Sequence, residues 1–418
     1  MARRIAFLVA LLFAGHAAAQ AQAETELEAV RREIAALRSD YDNRLGDLER
    51  RLAELEAGAV AAPAPAVPAG DLAPPASSPP VVPSVGPAGP AGAAVAGANY
   101  FNPAISLVGN FVAAGGDETA DGAAAAELQE SELGLQAVID PYARADFFLA
   151  FGEEGVEVEE GYATFTALPA DLLLKVGRMK ATFGKVNTLH SHTLPWADQP
   201  LPVTTLLGDE GWIGTGVSLA RLVPLPADTF SEITLQVFRG DAEGLFEAAE
   251  RNDLAYNAHY RLFRDLSEAT NLDVGLSYGL GPNGVAPETE TALAGVDATL
   301  RWKPLRTALY RSAIFRGEVI RSRREQEEST ESALGWFASG DYQFARRWAV
   351  GGRLESVERP EDSSLDDRGE AFTLTFSPSE FARLRGELRR RRFAEGDEAT
   401  EVFLQLLFAI GAHGAHPF

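Results

Sequence analysis

The chain has no cysteine, only two methionines and only six histidines among 418 residues. Without cysteine there is no disulfide stapling, no thiolate metal site and no cysteine nucleophile. No HExxH helix occurs, and Gly275-Leu276-Ser277-Tyr278-Gly279 spells GxSxG only inside an alternating strand run, not at the strand-to-helix turn of a nucleophile elbow, so we expect no enzyme. Beyond the N-terminus no stretch reaches the roughly twenty uninterrupted apolar residues of a membrane-spanning helix. Positive charge is also short: the formal net charge is -23, which sets nucleic-acid binding aside.

What is present is alternation. Leu272, Val274, Leu276, Tyr278 and Leu280 interleave with Asp273, Gly275, Ser277 and Gly279, and the same rhythm returns at Leu254–Leu262, Ala294–Trp302 and Val402–Ile410. A period of two is that of β-strands with one oily and one polar face. The runs exceed the five or six residues of an ordinary soluble strand, whereas a tilted strand crossing a bilayer needs roughly nine to eleven. The sequence therefore predicts an all-β transmembrane barrel of about 16 antiparallel strands over residues 99–418. Connections alternate between short turns (Asp140-Pro141, Lys303-Pro304, Ser377-Pro378-Ser379) and longer acidic segments (115–122, 281–290, 360–368), the asymmetry of periplasmic turns and external loops. Two segments, 174–180 and 310–320, break the alternation and read as bulges.

Three regions precede the barrel. Arg3 and Arg4, the apolar run Ile5–Ala14 and the small residues Ala17–Ala19 form a signal peptide over 1–23, cleaved near Ala19, Ala21 or Ala23. Residues 24–57 carry Leu27, Val30, Ile34, Leu37, Tyr41, Leu45, Leu48, Leu52 and Leu55, a coiled-coil seam with a stutter between Tyr41 and Leu45. Its function is self-association in the periplasm; three copies would suit a trimeric barrel, but the spacing leaves the oligomer number open, and a lone amphipathic helix is the alternative. Residues 58–98 are Ala, Pro, Gly and Ser, an extended spacer that cannot bury a core.

If apolar residues face lipid, charges must face inward, since a mid-bilayer charge on the lipid side costs a few kcal/mol. Arg383, Arg385, Glu387, Arg389 and Arg391 then share the inner face, as do Arg353 with Glu355, and Arg261, His259, Asp273, Asp297 and Arg301. The expected lumen is polar and wet, with a modest basic excess that would favour anions. The competing reading has these arginines paired with carboxylates and tying the wall together. The longest connection, Gly184–Gly211, is the third external one; it holds His190, His192, Trp196 and Asp198 and is stiffened by Pro195, Pro200 and Pro202.

The run Leu174-Lys175-Val176-Gly177-Arg178-Met179-Lys180 with Phe183-Gly184 resembles the strand-to-loop signature of the phosphate-selective porin superfamily, in which an N-terminal coiled coil also occurs. Phe101-Asn102-Pro103-Ala104-Ile105-Ser106, His190-Ser191-His192 with Asp198-Gln199-Pro200, and the ending Gly411–Phe418 more closely resemble Gram-negative outer-membrane proteins labelled zinc-regulated or receptor-like. The resemblance implies an outer-membrane channel whose third loop folds inward, with Lys175, Arg178, Lys180 and Asp198 joining Arg261, Arg353, Arg383, Arg385 and Arg389 as pore residues. It also implies contact with outer-membrane lipid and recognition by the barrel-assembly machinery through Phe408 or Phe418. No cofactor is required; zinc enters only as a candidate ligand of His190 and His192, with Asp198 in support, against local hydrogen bonding. The functions left in competition are a channel for small hydrophilic solutes or ions, a receptor for a metal or chelate, and an envelope tether using the coiled coil.

Overall fold

The computed structural model describes residues 103–411, apart from 118–124, 153–154, 227–228 and 287. The expected signal peptide, coiled coil, spacer and terminal residues His413, His416 and Phe418 lie outside these. The described residues form sixteen strands. They are β1 (Ala104–Gly116), β2 (Ala126–Asp140), β3 (Ala143–Gly152), β4 (Gly155–Phe165), β5 (Leu172–Lys180) and β6 (Ile213–Leu222). There follow β7 (Thr229–Arg239), β8 (Leu254–Ser267), β9 (Thr270–Pro282), β10 (Glu290–Trp302) and β11 (Ser312–Glu325). The last are β12 (Thr330–Ala345), β13 (Trp348–Glu358), β14 (Asp366–Ser379), β15 (Ala382–Arg392) and β16 (Glu398–Gly411). Each pairs antiparallel with its sequence neighbours, and β1 pairs with β16 from Ser106↔Gly411 to Gly116↔Glu401, closing the barrel.

Closure leaves no sheet edge, and the exterior shows why that matters. Leu276 is 49% exposed, Val296 49% and Leu404 53%, while their inward neighbours Asp297 and Gln405 are 4% and 1% exposed. Large apolar groups outside and charged groups inside invert the soluble pattern and fit a barrel wrapped in hydrocarbon. Connections at one end are short, such as 141–142, 346–347 and 380–381; those at the other include 240–253, 283–289 and 359–365.

The bulges are not where the sequence placed them: β5, which holds 174–180, pairs with β4 and β6 without a register shift. The register of β10–β11–β12 runs unbroken, because Tyr310 and Arg311 belong to the preceding turn. A register shift instead falls between Phe148 and Leu149, leaving Glu159 of β4 without a cross-strand partner beside Glu160. That extra residue lets two consecutive glutamates serve the interior.

Leu276→Arg, at mid-strand on the outer face, should lower the stability of the bilayer-folded barrel by about 2–4 kcal/mol. Denaturant titration in lipid vesicles measures it.

Candidate pore constriction

The connection from β5 to β6, residues 181–212, leaves the wall and folds into the lumen; it is the third connection at the long-loop end. Gly184 starts the turn with φ +61, and its Cα sits against the Glu318 carboxylate, where a side chain would not fit. A short helix, α1 (Leu201–Leu207), begins after Pro200 with Pro202 in its first turn and ends at Gly208 with φ +95. Leu201, Val203, Leu206 and Leu207 are buried there.

The loop lies on an apolar bed. Phe183, Leu189, Leu194, Trp196, Leu206 and Trp212 cluster with the inward residues Phe238, Leu293, Ile320, Phe337 and Val357 of the wall. Glycines make room for the larger groups: a Cβ on Gly279 would lie 2.6 Å from the Trp212 ring, and one on Gly295 2.9 Å from the Phe183 ring. The lumen is therefore not polar throughout. The alternation placed apolar side chains outside, but the strands that receive the loop carry apolar residues on both faces.

A non-helical backbone inside a barrel has no adjacent strand to pair with, and wall side chains supply the partners. Glu387 accepts the Ala197 N–H at 2.8 Å, Glu355 the Leu201 N–H at 3.0 Å and Gln236 the Thr182 N–H at 2.7 Å. Ser277 Oγ accepts the Gly184 N–H at 2.9 Å, and Glu318 the N–H groups of Lys185 and Val186 at 3.3 and 3.4 Å. Arginines serve the carbonyls: Arg385 donates to Trp196 O at 2.6 Å and Leu194 O at 3.0 Å. Asp198 is then gripped by Arg353 at 2.7 Å, Arg389 at 2.5 Å and Arg391 at 2.7 Å, which holds its carboxyl well below the usual range despite burial.

On the opposite side, His190 sits within a ring of carboxylates. Its Nδ1 is 2.6 Å from Glu132 and 3.0 Å from Glu159, and its Nε2 is 2.9 Å from Glu160. Both ring nitrogens thus meet acceptors, the pattern of an imidazolium. Burial disfavours the charged ring, but the hydrogen bonds it donates to the three glutamates outweigh it and hold the His190 pKa well above the ordinary imidazole value. Lys180 Nζ contacts Glu159 at 2.9 Å, Ser191 donates to Glu130, and His192 Nδ1 stands 3.5 Å from Glu132. Two triads, Glu130 with Glu132 and His192, and Glu132 with Glu159 and His190, have ligand atoms within 4.8 Å of one another. Oxygen and imidazole donors suit a divalent cation, yet a cation on Nδ1 of His190 would need that nitrogen deprotonated against its present hydrogen bonds.

The pore residues expected from sequence fall into four groups. Arg353, Arg385, Arg389 and Asp198 come together, but as anchors of the loop: the arginines are 1%, 2% and 5% exposed, so they are not the water-lining set that the alternation suggested. Lys180 belongs to the histidine cluster, and Asp198 does not, so Asp198 cannot assist a metal there. Arg261 pairs with Asp273 at 2.6 Å, Lys175 lies 4.5 Å from the Tyr162 ring, and Arg383 lines a cavity at the short-turn end. Arg178 is a correction. It stands opposite Gly161 and the exposed Thr215, on the register of the outward Val176 and Val217, and bonds the Val158 carbonyl at 2.9 Å and Glu157 at 3.1 Å. Within the strand, residue 178 has the opposite parity to the inward Lys175; only at the strand's last residue does Lys180 turn into the interior.

Sequence reasoning missed Glu130, Glu132, Glu159 and Glu160. The acidic pair Glu159-Glu160 was the available signal, since an unbulged strand would turn one of the two outward.

No family model matches this chain. A protein of Aquifex aeolicus (strain VF5), described as uncharacterized, is 30% identical over 332 residues, covering 70% of each chain. The chain belongs to the family of that protein. Among solved structures, the chain is similar to an anion-selective porin from Comamonas acidovorans, with a TM-score of 0.52 at 12% identity over 74% of this chain and all of that one. It is likewise similar to OmpT, an outer membrane protein of Vibrio cholerae, with a TM-score of 0.52 at 10% identity over 75% of this chain and 98% of that one. These likenesses show a shared fold: a 16-strand, porin-like barrel.

Two outcomes follow for the loop. Asp198→Asn should loosen it by about 2–3 kcal/mol, because the buried Arg353 and Arg389 keep only Glu355 and Glu401 and the half-buried Arg391 loses its carboxylate; amide exchange over 181–212 should accelerate while the strands stay protected. The His190 contribution is fully present below about pH 6.5 and declines as pH rises through the elevated folded pKa. Loop protection, corrected for intrinsic exchange, should fall in the alkaline range in the native protein and lose that dependence in His190→Gln.

Proposed function

We propose that this chain is an outer-membrane channel through which small hydrophilic solutes and ions diffuse, narrowed by its inward-folded third loop. The observation that carries the reading is a pair of cavities on either side of that loop. One, of about 740 Å³, opens among the long loops and is lined by Glu127, Glu157, Asp209 and Glu210. The other, of about 320 Å³, opens among the short turns and is lined by Arg346, Arg347, Arg383 and Gln343. Water can thus approach the loop from both ends of a closed barrel, and the chemistry needed is passage alone, with no catalytic group. The long-loop end faces outward and the short-turn end, where both β1 and β16 terminate, faces the periplasm. Outer-membrane lipid contacts the apolar exterior, the barrel-assembly machinery inserts it, and self-association, as a trimer if the coiled coil joins three copies, completes the proposed assembly.

Anion preference is the finer part of this reading and rests on the short-turn cavity, where Arg346, Arg347 and Arg383 remain beside the Arg316–Asp341 pair and the loop-bound Arg385. Rings of such residues favour anions where the path is narrow. The zinc reading has the two carboxylate–histidine triads as its support; calorimetry that finds equal zinc binding by the native protein and His190→Ala/His192→Ala would dismiss it.

Planar-bilayer recording tests the channel. Steady conductance is expected, and none at any voltage would favour a tether or a closed receptor. Arg383→Glu should move the reversal potential in a salt gradient toward cation preference; an unchanged value would place Arg383 off the ion path.

A further inference from the structure

The two cavities are lined by opposite charges. At the long-loop end Glu127, Glu130, Glu157, Glu159, Asp209 and Glu210 face a single Lys180. At the short-turn end Arg316, Arg346, Arg347, Arg383 and Arg385 face a single Asp341. Part of each set is committed, as Glu159 is to Lys180 and Arg316 to Asp341, at 2.9 and 2.5 Å. A remainder is not: among the described residues, Glu127, Asp209 and Glu210 at one end and Arg346, Arg347 and Arg383 at the other form no ion pair. Between the mouths Asp198 is compensated by its arginines and His190 by its glutamates.

A mouth lined by one sign concentrates the opposite ion within it. Two mouths of opposite sign in series do more than select. When the acidic end is positive, cations enter through the acidic mouth and anions through the basic mouth, so both accumulate and current is high. When the voltage is reversed, each ion must enter through the mouth of its own sign, the interior is depleted, and current is low.

We propose that this barrel is a rectifying channel, passing cations from the long-loop end and anions from the short-turn end more readily than either in reverse. The inference rests on the channel reading and adds directionality to it. In cellular orientation it favours inward flow of small cations and outward flow of small anions.

The test is single-channel recording of the full chain in neutral-lipid bilayers with symmetric KCl. Screening sets the salt dependence: the ratio of conductances at opposite polarities should reach about twofold at 0.1 M, where the Debye length is ~10 Å, and approach one at 1 M, where it is ~3 Å. Because the chain lacks cysteine, Glu328→Cys in the 326–329 connection gives a unique label. Modification from one side then assigns orientation, and the larger current should flow with the labelled side positive. Arg346→Glu/Arg347→Glu and, separately, Asp209→Lys/Glu210→Lys should each bring the 0.1 M ratio close to one; both pairs lie outside the strands. Open channels with equal conductance at both polarities in 0.1 M salt would overturn rectification and leave the channel standing. Larger current with the labelled side negative would overturn the proposed direction. A correctly folded barrel with no conductance would overturn the channel reading and this inference with it.

Discussion

Everything inside the barrel follows from one constraint: a buried backbone must find hydrogen-bond partners, and the inward loop brings its backbone to a place where no strand can provide them. The wall answers with side chains. Glutamates accept from the loop's N–H groups and arginines donate to its carbonyls, so the charged residues of the inner face are sorted by which backbone atom they serve. Their full charges also need balance, which the Arg353–Glu355 and Arg389–Glu401 pairs provide within the wall at 3.1 and 2.6 Å. An apolar bed at Phe238, Leu293, Ile320, Phe337 and Val357 completes the seat.

The interior charges thus divide into two populations. One is dry, paired and structural, and Arg353 and Arg385 typify it. The other is wet and unpaired, and Arg346, Arg347 and Arg383 belong to it. Only the second can act on a passing ion at long range, because the field of the first is largely neutralised at its source. Position along the barrel separates them: the loop claims the middle, and the free charges remain at the mouths.

Most of the wall was legible because a strand's period is local. Leu272–Leu280 and Val402–Ile410 declared their faces within a few residues, and Arg383, Arg385 and Arg389 were correctly placed inside. What those arginines do was not legible, because the partner of Arg385 at Trp196 O lies 189 residues away and no spacing encodes it. The apolar inward residues were misread for the same reason. Leu293 and Ile320 disturb the alternation on β10 and β11, and without the loop above them nothing marks them as a seat. The alternation puts Gly275 and Gly279 on the polar face; at Gly279 the missing side chain is the space that Trp212 occupies.

The seam where the barrel closes adds a temporal consequence. Ala197, beside the triple-arginine latch, packs with Val112 of β1 and Phe403 of β16, the first and last strands to be synthesised. Its other anchors, on β13 and β15, also come late in the chain. The loop therefore has no complete resting place until both ends of the sheet have met, and contacts so distant in sequence are slow to form. Complete docking of the loop thus reports a finished cylinder.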